Sequence, residues 1–158
     1  MEYYKFVPNN QEGADCQLVT ALNASIFLHK KVLVKPKSKR YKELLKMTGC
    51  VAGPCNSVEK SWESLKIKES NKYATFDEID WSDLPLELKT WDHHYGAHSV
   101  LAIDNVHWCN ALQLLNFDAH TTSDGWIFLQ DLEMYAPRNY HYNSEDEGSW
   151  IARSYVRN

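Results

Sequence analysis

The chain of 158 residues has no run of about 18 apolar residues, and so offers no sequence that would cross a membrane as a helix. Its first residues, Met1-Glu2-Tyr3-Tyr4-Lys5, lack the basic-then-apolar order of a secretory signal. The expectation is therefore a cytoplasmic protein with no membrane association. It has only four cysteines, Cys16, Cys50, Cys55 and Cys109, and in a leaderless chain these are expected as reduced thiols rather than two disulfides. No internal repeat, no low-complexity segment and no βαβ alternation occurs, which argues against solenoids, linkers and doubly wound parallel sheets.

What is present fits one globular domain spanning 1–158. Of its residues 44% are hydrophobic and 13% aromatic, enough for a single core, and the length is too short for two full domains. The formal charge of -4 is unevenly spread. Residues 30–46 hold eight Lys/Arg (Lys30, Lys31, Lys35, Lys37, Lys39, Arg40, Lys42, Lys46) against Glu43 alone, a local +7. A basic patch attracts nucleic acid or anionic surfaces, but this one has only Tyr41 for base stacking and no recognisable reading motif. It reads as a solvated helix face with a flexible approach, and no nucleic-acid partner is expected.

Hydrophobic spacing divides the chain. A helix is predicted from Asp15, a good N-cap type, through Leu28, with Leu18, Leu22 and Ile26 as its apolar stripe. A second starts at Ser38 and carries Tyr41, Leu44 and Leu45. A third follows Asn56, with Asn56 and Glu59 at capping-box spacing, and buries Val58, Trp62 and Leu65. Gly49–Pro54 separates the last two. After about residue 70 the period becomes that of strands, in Ser99–Ile103, Ala111–Phe117, Trp126–Leu129 and Trp150–Val156. A helical half of about 1–70 followed by an antiparallel β half of about 71–158 defines an α+β fold.

The chemistry centres on Cys16. In the first turn of a helix a thiol meets unpaired N–H groups and the positive end of the macrodipole, which predicts a lowered pKa. A nucleophilic cysteine needs a base and an orienting acceptor. His98 opens a predicted strand, and Asn116 stands near the end of the next, where a hairpin would bring its side chain beside the His98 ring. Gln11, ahead of the helix, is placed to donate to an oxyanion together with the Cys16 N–H. Each residue alone has a plainer reading: a small buried cysteine, a structural histidine, a strand-end asparagine. The ordered set of Gln11, Cys16, His98 and Asn116 carries the argument.

Three segments, Gln11-Glu-Gly-Ala-Asp-Cys16, Gly96-Ala-His98-Ser-Val-Leu-Ala-Ile103 and Leu114-Leu-Asn116-Phe-Asp118, resemble the papain-like cysteine peptidase superfamily. The resemblance is to its compact phage- and bacteria-type members and to the bacteriocin-leader (double-glycine) peptidases. It implies a nucleophile helix packed on a C-terminal antiparallel sheet, with Cys16 as nucleophile, His98 as base and then acid, Asn116 holding the imidazole and Gln11 as oxyanion donor. The implied reaction is amide cleavage of a protein or peptide through a thioester, without cofactor or metal. Gln11 stands five residues before Cys16, leaving Asn10 as a competing donor, and Asp118, one strand period beyond Asn116, is an alternative orienting group.

Other readings compete. Cys50 and Cys55 with His107 and Cys109 supply soft metal ligands, but not at the usual knuckle spacing, and His93, His94 and His98 read as loop or strand histidines. The six tryptophans are dispersed and expected in the core or lining a cleft. Gln17, where papain relatives have Trp, opens a second functional class, a non-catalytic papain-fold module that captures another protein. The surface loops expected to set specificity are 49–55, 85–97, 119–125 and 136–148, and none has a pattern that names a ligand.

Overall fold

The computed structural model describes residues 4–8, 15–35, 37–50, 55–92, 96–104, 107–110, 113–120, 126–128 and 150–158. In chain order these form β1 (Tyr4–Pro8), α1 (Cys16–His29), α2 (Lys39–Met47), a 3-10 turn (Val58–Ser61) continuous with α3 (Trp62–Leu65), and β2 (Ile67–Tyr73). After a second 3-10 turn (Phe76–Glu78) come β3 (Leu86–Asp92), β4 (Gly96–Ala102), β5 (His107–Asn110), β6 (Gln113–His120), β7 (Trp126–Phe128) and β8 (Ala152–Arg157). The mixed helix and antiparallel-sheet architecture is the α+β class that the change of hydrophobic period predicts.

Six strands make one sheet in the order β2-β8-β3-β4-β5-β7, and β1 pairs with β6 in a separate two-stranded sheet. The chain-terminal β8 is inserted between β2 and β3, pairing Ala152 with Tyr73 on one side and with Leu88 on the other. Alternation along the central strands assigns two faces. Leu101, Ile103 and Tyr155 join α1, α2 and α3 in one core cluster. Leu86, Leu88, Val100, Ala102 and Ala152 belong to a second, with Phe76 and Ile79. The sheet is thus covered by helices on one face and by the 76–84 segment on the other.

α1 is more deeply set than a single apolar stripe implies. Every residue from Leu18 to Ile26 is buried, including Thr20, Asn23 and Ser25. A helix enclosed on all sides needs its polar side chains satisfied, and Ser25 donates across 40 residues to the Leu65 carbonyl at 2.7 Å. α2 follows the sequence expectation: Tyr41, Leu44 and Leu45 are buried, and the Ser38 hydroxyl caps the helix by accepting from the Tyr41 N–H at 3.1 Å. The third predicted helix is a 3-10 turn plus one α turn, burying Val58 and Leu65. Its expected Asn56–Glu59 box does not form. Ser57 occupies the N-cap without a side-chain bond, while the Asn56 and Ser57 N–H groups both donate to the Thr48 carbonyl at 3.1 and 3.2 Å.

Two further expectations change. Cys50 and Cys55 are joined as a disulfide, leaving Cys16 and Cys109 as the free thiols. The two Cα atoms are 4.3 Å apart; the Cys50 N–H donates to the Leu45 carbonyl and the Asn56 N–H, next to Cys55, donates to the Thr48 carbonyl, so both cysteines are anchored at the end of α2. The segment 85–97, read as a surface loop, contains β3: Leu86 and Leu88 face one core and Glu87 the other side, an alternation obscured by the charged residues between them.

Candidate functional site

Cys16 is the first residue of α1. Asp15 occupies the N-cap position, but its side chain makes no capping bond. It turns instead toward α2, where Oδ2 accepts the hydrogen bond of the Tyr41 hydroxyl, and Oδ1 has no hydrogen-bond partner among the described residues. The sequence therefore identifies the helix start correctly, while tertiary packing takes the capping carboxylate for another role.

β4 runs past the start of α1. Its register with β5 begins at Val100 opposite Asn110, so among the described residues its Gly96–Ser99 half is paired on one side only, to β3, with His98 opposite Thr90 and Ser99 opposite Lys89. At this half-open stretch the backbone N–H groups of Ser99 and of Gln17, in the helix's first turn, lie close enough to the Cys16 sulfur to favour its thiolate. The helix that begins at Cys16 thus packs on the strand that carries His98 and Ser99.

The expected lowering of the Cys16 pKa is not what the site produces. Burial of the partly exposed thiol raises it above the ordinary value; the Ser99 and Gln17 N–H donors pull it down, and the negative charges of Glu87 and Asp15 push it up. The helix-end effect is present in the Gln17 N–H, but desolvation and two carboxylates outweigh it and the Ser99 N–H together. In the resting protein the described surroundings favour the thiol.

Beneath Ser99 lies a polar network enclosed in the core. The Ser99 hydroxyl is 2.6 Å from Glu87 Oε2 and 2.9 Å from Thr20 Oγ1. Glu87 Oε1 accepts from Arg153 Nε at 2.8 Å and from the Tyr155 hydroxyl at 2.5 Å. The Arg153 guanidinium lies over the Trp150 ring at 4.2 Å and the Trp62 ring at 5.0 Å, so Trp62 and Trp150 flank a cation. None of Thr20, Ser99, Glu87 or Arg153 is marked by a sequence motif. The available signal was a charged residue between two leucines in a strand-like alternation.

The other predicted site residues are distributed as follows. Asn116 is in β6, opposite Lys5 of β1, and not in a hairpin with β4; the neighbour of β4 is the short strand β5. The His98–Asn116 hairpin is therefore replaced by two strands in different sheets, both packed against α1. The side chains of His98, Asn116 and Asp118 lie outside the described residues, as do Gln11 and Asn10 entirely. His93, His94 and most of the 119–125 and 136–148 loops also lie outside them. Among the described residues no group of three or more His, Cys, Asp or Glu is arranged to hold a metal, and no helix is long and apolar enough to cross a membrane. No protein-family model, curated protein or solved structure matches the chain.

Proposed function

We propose that the chain is a papain-like thiol hydrolase, a peptidase or isopeptidase that cleaves an amide bond of a protein or peptide through a covalent acyl-enzyme. The observation that carries this reading is that α1, which begins at Cys16, packs against β4, the strand that carries His98, and is tied to it by the Thr20–Ser99 hydroxyl contact at 2.9 Å. The reading joins nucleophile and base candidates from opposite halves of the chain.

In this mechanism His98 removes the thiol proton as Cys16 Sγ attacks the scissile carbonyl carbon. The oxyanion is stabilised by the Cys16 N–H and the Gln11 amide, and Asn116 orients the imidazole. The imidazolium then returns its proton to the departing amine, leaving a thioester that water hydrolyses. Because burial and two carboxylates raise the thiol pKa, the proton moves to His98 during attack rather than from a thiolate preformed by the helix alone.

The test is the rate of iodoacetamide labelling of Cys16 against pH, located by peptide mass spectrometry, with Cys109 as internal control. Cys16 should label far faster than the fully buried Cys109, and His98→Ala should slow it. A profile for Cys16 that is unaffected by His98→Ala would overturn the assignment.

A second reading, a non-catalytic binding module on this fold that captures another protein, is favoured by the raised Cys16 thiol. It requires a stable complex with a partner and ordinary Cys16 reactivity, and the same labelling series separates the latter from the first reading.

A further inference from the structure

Glu87 is fully buried on the helix-covered side of β3, between Leu86 and Leu88, which face the other core. A carboxylate taken out of water requires a counter-charge and satisfied oxygens. Both are provided. Arg153 and Tyr155 of β8 hold Oε1, and the Ser99 hydroxyl of β4 holds Oε2. A hydroxyl has one proton. If Ser99 gives it to the carboxylate, the contact at 2.9 Å is completed by the Thr20 hydroxyl as donor, one helical turn beyond Cys16. α1 packs on β4, with the Ser99 backbone near the Cys16 sulfur.

Three strands and the nucleophile helix therefore converge on one carboxylate, and the link to Cys16 runs through a single residue. We propose that Glu87 is a positioning residue of the Cys16 site, fixing through the Ser99 hydroxyl and its Thr20 contact how the first turns of α1 sit on β4, and with them the distance between the His98 backbone and Cys16. This rests on the thiol-hydrolase reading for its catalytic consequence, whereas its test reads the thiol itself. The charged and titratable groups around the sulfur among the described residues are Glu87 from β3, Arg153 and Tyr155 from β8 behind it, and Asp15 beside it, held by Tyr41 of α2.

The experiment is Cys16 alkylation against pH in the full chain carrying Ser99→Ala or Glu87→Gln, with thermal melting of each. Ser99→Ala keeps the Glu87–Arg153–Tyr155 contacts but releases β4 from the carboxylate. Its Cys16 midpoint should rise by about half a pH unit, with labelling about threefold slower below the midpoint. Glu87→Gln keeps an acceptor for Ser99 while removing the charge, and its midpoint should fall. The charge effect of Glu87→Gln acts through space, so the positioning role is read from Ser99→Ala, and Ser99→Thr, which restores the hydroxyl, should return the parent profile, a rescue that a merely structural role would not give. If Glu87→Gln does not fold, Ser99→Ala and Thr20→Val decide. A folded Ser99→Ala whose Cys16 profile matches the parent overturns the inference. The thiol–imidazole reading fails separately, when His98→Ala leaves labelling unchanged while Ser99→Ala displaces it.

Discussion

Tyr41 of α2 donates its hydroxyl hydrogen bond to Asp15, the residue immediately before the Cys16 helix. Both are buried, at 2% and 0% exposure, so the contact is sealed from water and joins α2 to the N-terminus of α1. It also explains why the only aromatic residue in the basic 30–46 segment is unavailable for stacking on a base. The lysines of α2 face outward while Tyr41 is turned into the core.

Removing that hydroxyl should expose what the bond compensates. Tyr41→Phe leaves a buried carboxylate whose Oδ1 has no partner among the described residues and whose Oδ2 has lost one. The expected loss is about 1–3 kcal/mol in urea unfolding. Asp15→Asn combined with Tyr41→Phe should cost less than the two single changes added, because they share one interaction. Strict additivity would show that the pair is not coupled.

Gly49 marks the turn after α2, with φ at +76°, and an added Cβ there would meet the Asn56 side-chain amide. Asn56 is exposed and free to swing aside, so the lasting cost of Gly49→Ala is the left-handed backbone, about 1–2 kcal/mol. The companion Asn56→Ala, Gly49→Ala chain should recover only the part of the loss due to crowding. Full recovery would place the whole cost in the side-chain clash.

Arg153 and Glu87 make a buried ion pair, with side-chain exposures of 7% and 0%. Burial lowers the arginine's proton affinity, but Glu87, Tyr155 and Glu69 raise it further, so the guanidinium stays charged. Arg153→Met should cost about 3–5 kcal/mol, since it strands the carboxylate without its counter-ion. Arg153→Met combined with Glu87→Leu should be markedly less damaging, because no charge is left unpaired. If the double change is as destabilising as Arg153→Met, the packing of the guanidinium between Trp62 and Trp150 dominates instead.

How far the sequence reveals this arrangement follows from the range of each interaction. α1 and α2 were legible because their signals are local: Asp15 and Ser38 at the starts, and apolar residues at helical spacing. The runs around Ser99–Ile103, Ala111–Phe117, Trp126–Leu129 and Trp150–Val156 likewise correspond to β4, β6, β7 and β8 within a few residues. β2 was not, since Ile67–Tyr73 is an edge strand with mostly exposed polar residues. The partners of Glu87 were not either, because Arg153 and Tyr155 stand 66 and 68 residues away. For the same reason the local prediction of a lowered Cys16 pKa gave way. The Gln17 N–H is a neighbour in sequence, whereas the burial that chiefly raises the thiol and the Glu87 charge that adds to it come from distant parts of the chain.

Alkaline pH offers a test of the enclosed groups together. Cys109 is fully buried and its thiol is pushed well above the ordinary value by burial; Tyr155 is raised by burial and by the adjacent Glu87, and Cys16 is raised chiefly by burial. Each is held protonated in the folded chain and ionises more readily in the unfolded one. The stability each contributes is therefore fully present below its unfolded pKa and is lost as pH rises toward its folded pKa. Stability should be level up to about pH 8.5 and then fall by about 1.4 kcal/mol per pH unit for each thiol, steepening above about pH 10 when tyrosine joins. Urea unfolding at successive pH values measures the slope. Cys109→Ala should remove one thiol's share between about pH 8.5 and 10; a slope unchanged by that substitution would show that Cys109 is not among the groups that set it.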